Sequence, residues 1–138
     1  PDPRTYERYD ALAGAVASVD AAGSARLYAT LKARIEEAHR ELGLPDTSFD
    51  RTLERAIARL LETPEVGDPV RLEPLAEGIG YGFTDPRLEA LSGAQKQLLR
   101  MGPRNAGIVK GRLRQIALEL GIPSSRLPAA RASAPETR

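Results

Sequence analysis

The sequence predicts a mainly α protein, a compact helical bundle of five or six helices with an irregular arm at about residues 64–83. Three observations support this fold class. The chain has 138 residues and is 41% hydrophobic, which is enough to form one core. It contains two Phe, four Tyr and no Trp, so aliphatic side chains must fill that core, as they do between helices. Apolar residues also recur at spacings of three and four along most of the chain.

The composition predicts one domain and a tail. We expect residues 1–123 to form a single helical domain, and residues 124–138, rich in Pro, Ala, Ser and Arg, to form a flexible tail. The absence of Cys excludes disulfides and thiolate metal sites. No apolar run approaches the roughly 18 residues that span a bilayer, and no signal-peptide pattern opens the chain. We therefore expect no direct membrane insertion by this segment.

The first two predicted helices follow from apolar stripes. Residues 6–19 place apolar side chains on one face, at Tyr9, Leu12, Val16 and Val19. Residues 25–42 carry a longer stripe, which we expect to face the core, at Leu27, Leu31, Ile35, Ala38 and Leu42. Ser24 is a suitable N-cap for this second helix. Gly43 and Pro45 end it, because glycine suits the left-handed residue after a helix and proline does not continue one.

A third helix is predicted over residues 48–61. Its inward face is apolar, at Phe49, Leu53, Ile57, Leu60 and Leu61. Thr63 and Pro64 close this helix. Prolines and glycines then interrupt short apolar runs around residues 70–72 and 79–83, which predicts the irregular arm with one possible small hairpin.

The remainder of the chain is predicted to be helical again. The Asp-Pro pair at 85–86 begins a short helical turn, with Asp as the cap and Pro at the first helical position. The Ser-Gly-Ala-Gln sequence at 92–95 has the pattern of a capping box for a helix that ends at Met101. Gly102-Pro103 separates it from a last helix that stops at residues 121–123. One face of that last helix is apolar, at Val109, Leu113, Ile116 and Leu120.

Charge is distributed unevenly along the chain. The net charge is +1, yet residues 1–91 carry 11 basic and 17 acidic side chains, while residues 92–138 carry 9 basic and 2 acidic. Six basic residues lie between Ser92 and Leu118 with no acid among them: Lys96, Arg100, Arg104, Lys110, Arg112 and Arg114. Either this segment faces an anionic partner, or its cations pair with the acidic first part of the same fold.

Patterns typical of catalysis or metal binding are weak. The three glycines in residues 78–83 lack the Gly-x-Gly-x-x-Gly spacing between a strand and a helix, so we expect a glycine-permitted bend. Glu36 and His39 form half of a di-iron carboxylate pattern, but His39 is the only histidine, so we expect it at a surface or boundary. No Gly-x-Ser-x-Gly elbow is present. We expect no enzyme, no cofactor and no metal site.

Nucleic-acid binding by residues 92–118 is the alternative function. Residues 101–109, Met-Gly-Pro-Arg-Asn-Ala-Gly-Ile-Val, are similar to the second half of a helix-hairpin-helix, in which backbone amides approach a phosphate. Arg100 stands where the first glycine of that turn would be. The basic residues of the last helix are also spread around its circumference, which weakens the nucleic-acid interpretation.

The corner at Gly102-Pro103 carries our candidate binding residues. They are Lys96, Arg100, Arg104 and Asn105, with Tyr81 and Phe83 of the arm as a second candidate. In the structural interpretation, the same polar side chains satisfy the free carbonyls and amides of abutting helices. Arg100 would then pair with an acid such as Asp85 or Glu89.

Two stretches resemble a known family. Residues 83–116, FTDPRLEALSGAQKQLLRMGPRNAGIVKGRLRQI, are similar to the closing signature of the bacterial domain-of-unknown-function family 3014. Residues 26–66 resemble its central helices, and the similarity spans roughly residues 6–120. The most distinctive part is Leu91 to Asn105.

The resemblance implies a location and a general role. Such domains typically follow an N-terminal membrane anchor and a proline-rich linker, which points to the periplasmic side of the envelope. No catalytic residues are established for the family, so none carry over to this chain. We therefore predict a non-catalytic interaction or scaffolding domain of an envelope-associated, periplasmic protein. Its expected partner is another envelope protein or an anionic surface.

Overall fold

The computed structural model of the chain describes residues 2–43, 47–67, 70–76 and 78–129. Within these ranges, six α-helices and a two-stranded antiparallel sheet confirm the predicted mainly α fold with a small hairpin. The helices are α1 (Asp10–Ala17), α2 (Ala21–Glu41), α3 (Phe49–Leu61), α4 (Pro86–Glu89), α5 (Gly93–Arg100) and α6 (Pro103–Glu119). The strands are β1 (Leu72–Pro74) and β2 (Tyr81–Phe83), and 3₁₀ turns cover Pro3–Tyr9 and Ser124–Arg126.

Helix α6 is the central element, and α1, α2, α3 and α5 pack against it. One buried cluster joins α3 to α6 and the residues that follow α6, a second joins α1 to α5 and α6, and a third lies under the hairpin. Ala13 of α1 and Ala117 of α6 have no exposed surface. Because their side chains are small, neighbouring helices approach α6 closely at these two positions.

Helix α2 begins earlier than predicted. Asp20, in an extended conformation, precedes its first residue, and Ser24 lies inside the helix rather than at its cap. The Asp20 carboxylate folds over the first turn, so that a Cβ added to Gly23 would lie 2.4 Å from Asp20 Oδ2. The predicted end is confirmed, because Gly43 follows the helix with φ 82°.

The inward faces of α1 and α2 differ from the prediction. Leu12 is exposed while Ala13 is buried, and the predicted core stripe of α2 lies largely on the surface. A polar contact determines which side of α2 faces α3. The Glu36 carboxylate accepts the Phe49 backbone N–H at 2.9 Å, which sets the rotation of α2 about its own axis. His39 also turns inward: it is buried rather than at the surface, with its ring centroid 5.6 Å from that of Phe49 in an edge-on arrangement.

The predicted hairpin forms in the arm. Leu72 pairs with Phe83 and Pro74 with Tyr81. The connection uses left-handed backbone at Gly78 (φ 77°) and Gly80 (φ 104°). This geometry agrees with the predicted glycine-permitted bend.

The packed structure continues past residue 123, where we predicted the tail to begin. The turn Ser124–Arg126 returns the chain to the core, where Leu127 is buried against Ile57 and Ala117. Leu127 therefore supplies an apolar contact that the Pro/Ala/Ser/Arg composition did not indicate. The remainder of the predicted flexible tail, residues 130–138, lies outside the described residues.

Candidate functional site

The Gly102-Pro103 corner, which carries the predicted binding residues, is closed by the N-terminal turn. Gly102 has φ 86° and ψ 161°, a conformation essentially restricted to glycine. The Tyr6 ring lies against it, because a Cβ added to Gly102 would be 2.6 Å from Tyr6 Cγ. Gly102 is thus required both by its backbone conformation and by the ring packed on it.

Asn105 connects this corner to the N-terminal turn and to α1 through hydrogen bonds. Its side chain is 2% exposed. Its Nδ2 lies within hydrogen-bond distance of three acceptor oxygens: Asp10 Oδ1 (2.9 Å), Met101 O (3.1 Å) and Tyr6 O (3.2 Å). The neighbouring Arg104 side chain is 77% exposed, with Nη1 3.8 Å from Asp10 Oδ1. Asn105 is therefore a structural residue, while Arg104 faces solvent.

Lys96 of α5 is bound to Glu89, the last residue of α4. Its Nζ donates to Glu89 Oε1 at 2.8 Å and to the Glu89 carbonyl at 3.2 Å. The second carboxylate oxygen of Glu89 accepts the Phe83 backbone N–H at 2.7 Å. One carboxylate thus joins α4, α5 and β2.

This junction predicts a pH dependence of stability. The Lys96 ammonium, and then the Phe83 N–H, hold the pKa of Glu89 below its ordinary value. A carboxyl with a lowered folded-state pKa stabilises the fold above its unfolded-state pKa, and that contribution is lost as the pH falls through the folded-state value. We expect Glu89→Gln to lower the melting temperature at pH 7 and to reduce the loss of stability on acidification.

Thermal melts between neutral and acidic pH measure this effect. Glu62→Gln, at an exposed side chain beyond α3, is the matched control and should follow the wild type. Parallel stability curves for Glu89→Gln and the wild type across the acidic range would contradict the assigned role of Glu89.

Arg100 contacts the hairpin. Its Nη2 donates to the Tyr81 carbonyl at 3.1 Å, and its guanidinium carbon lies 5.5 Å from the Phe83 ring centroid. The predicted ion pair of Arg100 with Asp85 or Glu89 is wrong, because these acids pair with Arg87 and Lys96. Of the arm candidates, Phe83 belongs to the core and Tyr81 is exposed.

The three remaining cations of the basic segment also bind within the fold. Lys110, with a side chain only 16% exposed, donates to the Thr63 carbonyl at 2.8 Å, just beyond the end of α3. Arg112 donates to the carbonyl of Ala17, the last residue of α1. Arg114 donates to the Pro128 carbonyl. Helix C-termini carry free carbonyls and partial negative charge. Lys110 and Arg112 of α6 therefore stabilise the C-terminal ends of α3 and α1.

Five of the six basic residues of 92–118 therefore donate hydrogen bonds inside the fold, while Arg104 faces solvent with Asp10 3.8 Å away. Their contacts are spread over five places, namely α1, the end of α3, the hairpin, α4 and the residues after α6. This arrangement matches the structural interpretation of the segment. The six cations do not line one shared basic surface.

Asp50 forms a second polar junction, between α2 and α3, that the sequence did not indicate. Its carboxylate accepts from the Tyr28 hydroxyl and from Lys32 Nζ. The Lys32 ammonium, followed by the Tyr28 hydroxyl, holds the pKa of Asp50 below its ordinary value, while burial raises the pKa of Tyr28. An ionised Asp50 beside a protonated Tyr28 joins the two helices.

The Glu-x-x-His pattern is also used structurally. The Glu36 carboxylate caps α3 through the backbone N–H groups of Phe49 and Asp50. Among the described residues, no group of three or more His, Asp or Glu side chains is placed to hold a metal ion. Glu36 and His39 thus help to fix α2 against α3.

An exposed apolar row lies along α2. We define the α2 outer face as Leu27, Leu31, Ala38 and Leu42, whose spacings of four, seven and four place them on one side of the helix, with Arg34 at the edge of this row. Its three leucines are exposed, Leu27 by 60%, Leu31 by 43% and Leu42 by 79%. Sequence periodicity identified these leucines and Ala38, together with Ile35, as one stripe but assigned the stripe to the core.

Comparison with known proteins gives one match. A family described as "Protein of unknown function (DUF3014)" matches residues 2–117, which is most of the chain. No curated protein and no solved structure matches the chain. Within the described ranges, no helix is both long enough and apolar enough to cross a membrane.

Proposed function

The chain belongs to the DUF3014 family, and from this premise we propose that it is a non-catalytic protein-interaction domain whose contact surface is the α2 outer face. The observation that carries the proposal is the exposure of Leu27, Leu31 and Leu42 along one side of a helix. The other side of that helix is already bound to α3 and α6.

Burial of the exposed leucines against a partner would contribute a favourable free energy that the isolated chain does not gain. Single exposed apolar side chains are normal on protein surfaces, whereas several leucines aligned on one helix face favour an interaction site. Burial of one leucine side chain stabilises a complex by roughly 1.5–3 kcal/mol before the costs of association. A protein partner with an apolar helix fits this elongated face, since helices pack along such stripes.

Nucleic-acid binding through residues 92–118 is less well supported. A phosphate-binding surface needs cations that are free to neutralise phosphates. Lys96 and Lys110 are mostly buried and engaged with Glu89 and Thr63, and Arg112 is engaged with Ala17. The proposed partner is therefore a protein. By the resemblance of residues 91–105, we propose a periplasmic envelope protein as the class of partner.

Photo-cross-linking in cells tests this function. We expect benzoylphenylalanine at position 31 to give a specific protein adduct, because Leu31 lies within the contact face and is exposed. The adduct should disappear when Leu27→Glu is added. Mass spectrometry of the adduct identifies the partner.

Two controls make the result decisive. The same probe at Gln97, exposed on α5, should give no adduct. Leu27→Glu should change the free energy of unfolding by less than about 0.5 kcal/mol, because the side chain is exposed and away from the core. The proposal fails if the folded protein gives no adduct at position 31, or if it binds DNA or RNA with a steep salt dependence that Lys110→Ala removes.

A further inference from the structure

We propose that the α2 outer face binds a second copy of this chain, with the two α2 helices antiparallel about a two-fold axis between Arg34 and Ile35. The inference rests on the proposed function, since it names the occupant of the same face. It depends on the order of charges beside the leucines and on the register that this order selects.

The charges beside the apolar row change sign along the helix. Arg26 and Arg34 lie on one flank in the first half of α2, and Glu37 and Glu41 lie on the same flank in the second half. All four side chains are exposed. The only ion pair among the described contacts of Arg26 is with Asp20 at 3.9 Å, where both side chains are largely exposed, so it contributes little.

An antiparallel pair satisfies this charge order. In that arrangement the charged flank of one helix lies beside the same flank of the other helix, and the order of residues is reversed. Arg34 therefore faces Glu37 of the second copy, and Arg26 faces Glu41 of the second copy. Two-fold symmetry repeats both pairs. In a parallel two-fold pair these flanks would instead lie on opposite sides of the contact, so the four charges would not meet one another and neither ion pair would form.

The same register also matches the apolar residues. With the axis between residues 34 and 35, Leu31 meets Ala38 of the second copy, and Leu27 meets Leu42 of the second copy. The Leu31–Ala38 pair sets a large residue against a small one, which is a favourable packing arrangement, and the Leu27–Leu42 pair buries two leucines together. Arg34 lies beside the axis, close to its own symmetry mate, and each guanidinium has a Glu37 of the opposite copy within reach. Charge order and side-chain size therefore select one register.

The size of the contact sets its strength. Residues 27 to 42 span about 22 Å at about 1.5 Å per residue. A contact between two single helices of that length is smaller than a standard stable interface. We therefore expect reversible dimerisation with a dissociation constant on the micromolar scale or weaker.

Engineered cysteines test the register directly, because the chain has no native cysteine. Disulfides form only when the two Cα atoms are about 4–7 Å apart. We expect a mixture of Leu31→Cys and Ala38→Cys chains to give mainly the mixed disulfide dimer, while each variant alone gives little dimer. A self-disulfide of Leu31→Cys as the main product would show parallel pairing and overturn the proposal.

Charge exchange provides a second, solution-based test. Sedimentation of the wild type should show a dimer fraction that rises with protein concentration. Glu37→Arg should weaken dimerisation about tenfold or more, because it places a second guanidinium against Arg34 of the opposite copy. Adding Arg34→Glu to that variant should restore dimerisation, and unchanged melting temperatures of the diluted chains show that both variants fold.

The outcomes separate this inference from the proposed function. A wild type that stays monomeric at every concentration, together with a position-31 adduct to a different protein, overturns self-association and leaves the interaction function standing. A monomer with no adduct at position 31 overturns both. A dimer that survives Glu37→Arg and gives no mixed disulfide shows that another face is used and overturns the inference.

Discussion

Gly102→Ala is expected to destabilise the fold by about 3 kcal/mol or more, the largest effect that we expect from a single added methyl group in this chain. Two causes add together. The backbone at Gly102 (φ 86°, ψ 161°) is costly for any residue with a side chain, and the new Cβ would lie 2.6 Å from Tyr6 Cγ. Because Tyr6 packs on the corner between α5 and α6, its displacement also loosens the N-terminal turn. Chemical denaturation measures the loss.

Gly107→Ala is the matched control. Gly107 lies inside α6, and nothing lies within 4 Å of a Cβ added there. Alanine is more favourable than glycine inside a helix by roughly 0.5–1 kcal/mol, so this variant should be more stable than the wild type. Tyr6→Ala in the Gly102→Ala background removes the clash but not the backbone cost, and should recover part of the loss. Equal stability of Gly102→Ala and the wild type would refute this account of the corner.

The features that the sequence predicted well depend on residues close together in the chain. The capping box of Ser92 and Gln95 is formed, and Asp85 caps α4 as expected. Each of these signals involves positions within four residues of one another, so the local sequence contains all the atoms concerned. The bends at residues 43 and 78–80 belong to the same class, since glycine alone tolerates their positive φ.

The rotation of α2 could not be predicted in this way. The helix has two adjacent faces able to pack, one with Leu27 and Leu31 and one with Tyr28, Ile35 and His39. The choice is made by α3, where Asp50 lies 22 residues beyond Tyr28 and Phe49 lies 13 residues beyond Glu36. Periodicity measures how apolar a face is and contains no information about these distant polar partners.

Most partners of the basic segment also lie far from it in the sequence. Its sequence shows six cations without an acid, which fits a binding surface and an internal role alike. Arg112 reaches a carbonyl 95 residues away, and Lys110 reaches one 47 residues away. Most of these acceptors are backbone carbonyls, so counting acidic side chains could not have located them. Helix C-termini as cation acceptors are the signal that would have found two of them.

Asn105→Asp is the second variant for which we expect a large effect. The wild-type amide donates from Nδ2 toward three oxygens, and these acceptors determine which way the amide group points. An ionised carboxylate has no hydrogen to donate, and it would face the Asp10 carboxylate and two carbonyls in a buried site. We expect a loss of about 3 kcal/mol or more at pH 7, measured by chemical denaturation.

The pH dependence of this loss identifies its cause. Burial and the neighbouring Asp10 should raise the folded-state pKa of the introduced carboxyl, whose protonated form can still donate one hydrogen bond. A group with a raised folded-state pKa contributes its stability below its unfolded-state pKa, about 4 for Asp, and loses it as the pH rises through the folded-state value. The deficit of Asn105→Asp relative to the wild type should therefore shrink toward pH 4 and grow toward neutrality.

Two further variants separate lost hydrogen bonds from added charge. Asn105→Ala removes the donors without adding a carboxylate, so its deficit should be smaller at pH 7 and nearly independent of pH. Arg104→Ala, one residue away but 77% exposed, should change stability by less than about 0.5 kcal/mol. If Asn105→Asp and Asn105→Ala are equally destabilised at every pH, repulsion at Asp10 is not the cause. The larger deficit of the aspartate variant at neutral pH would establish that the corner selects an amide because it must donate toward oxygen atoms alone.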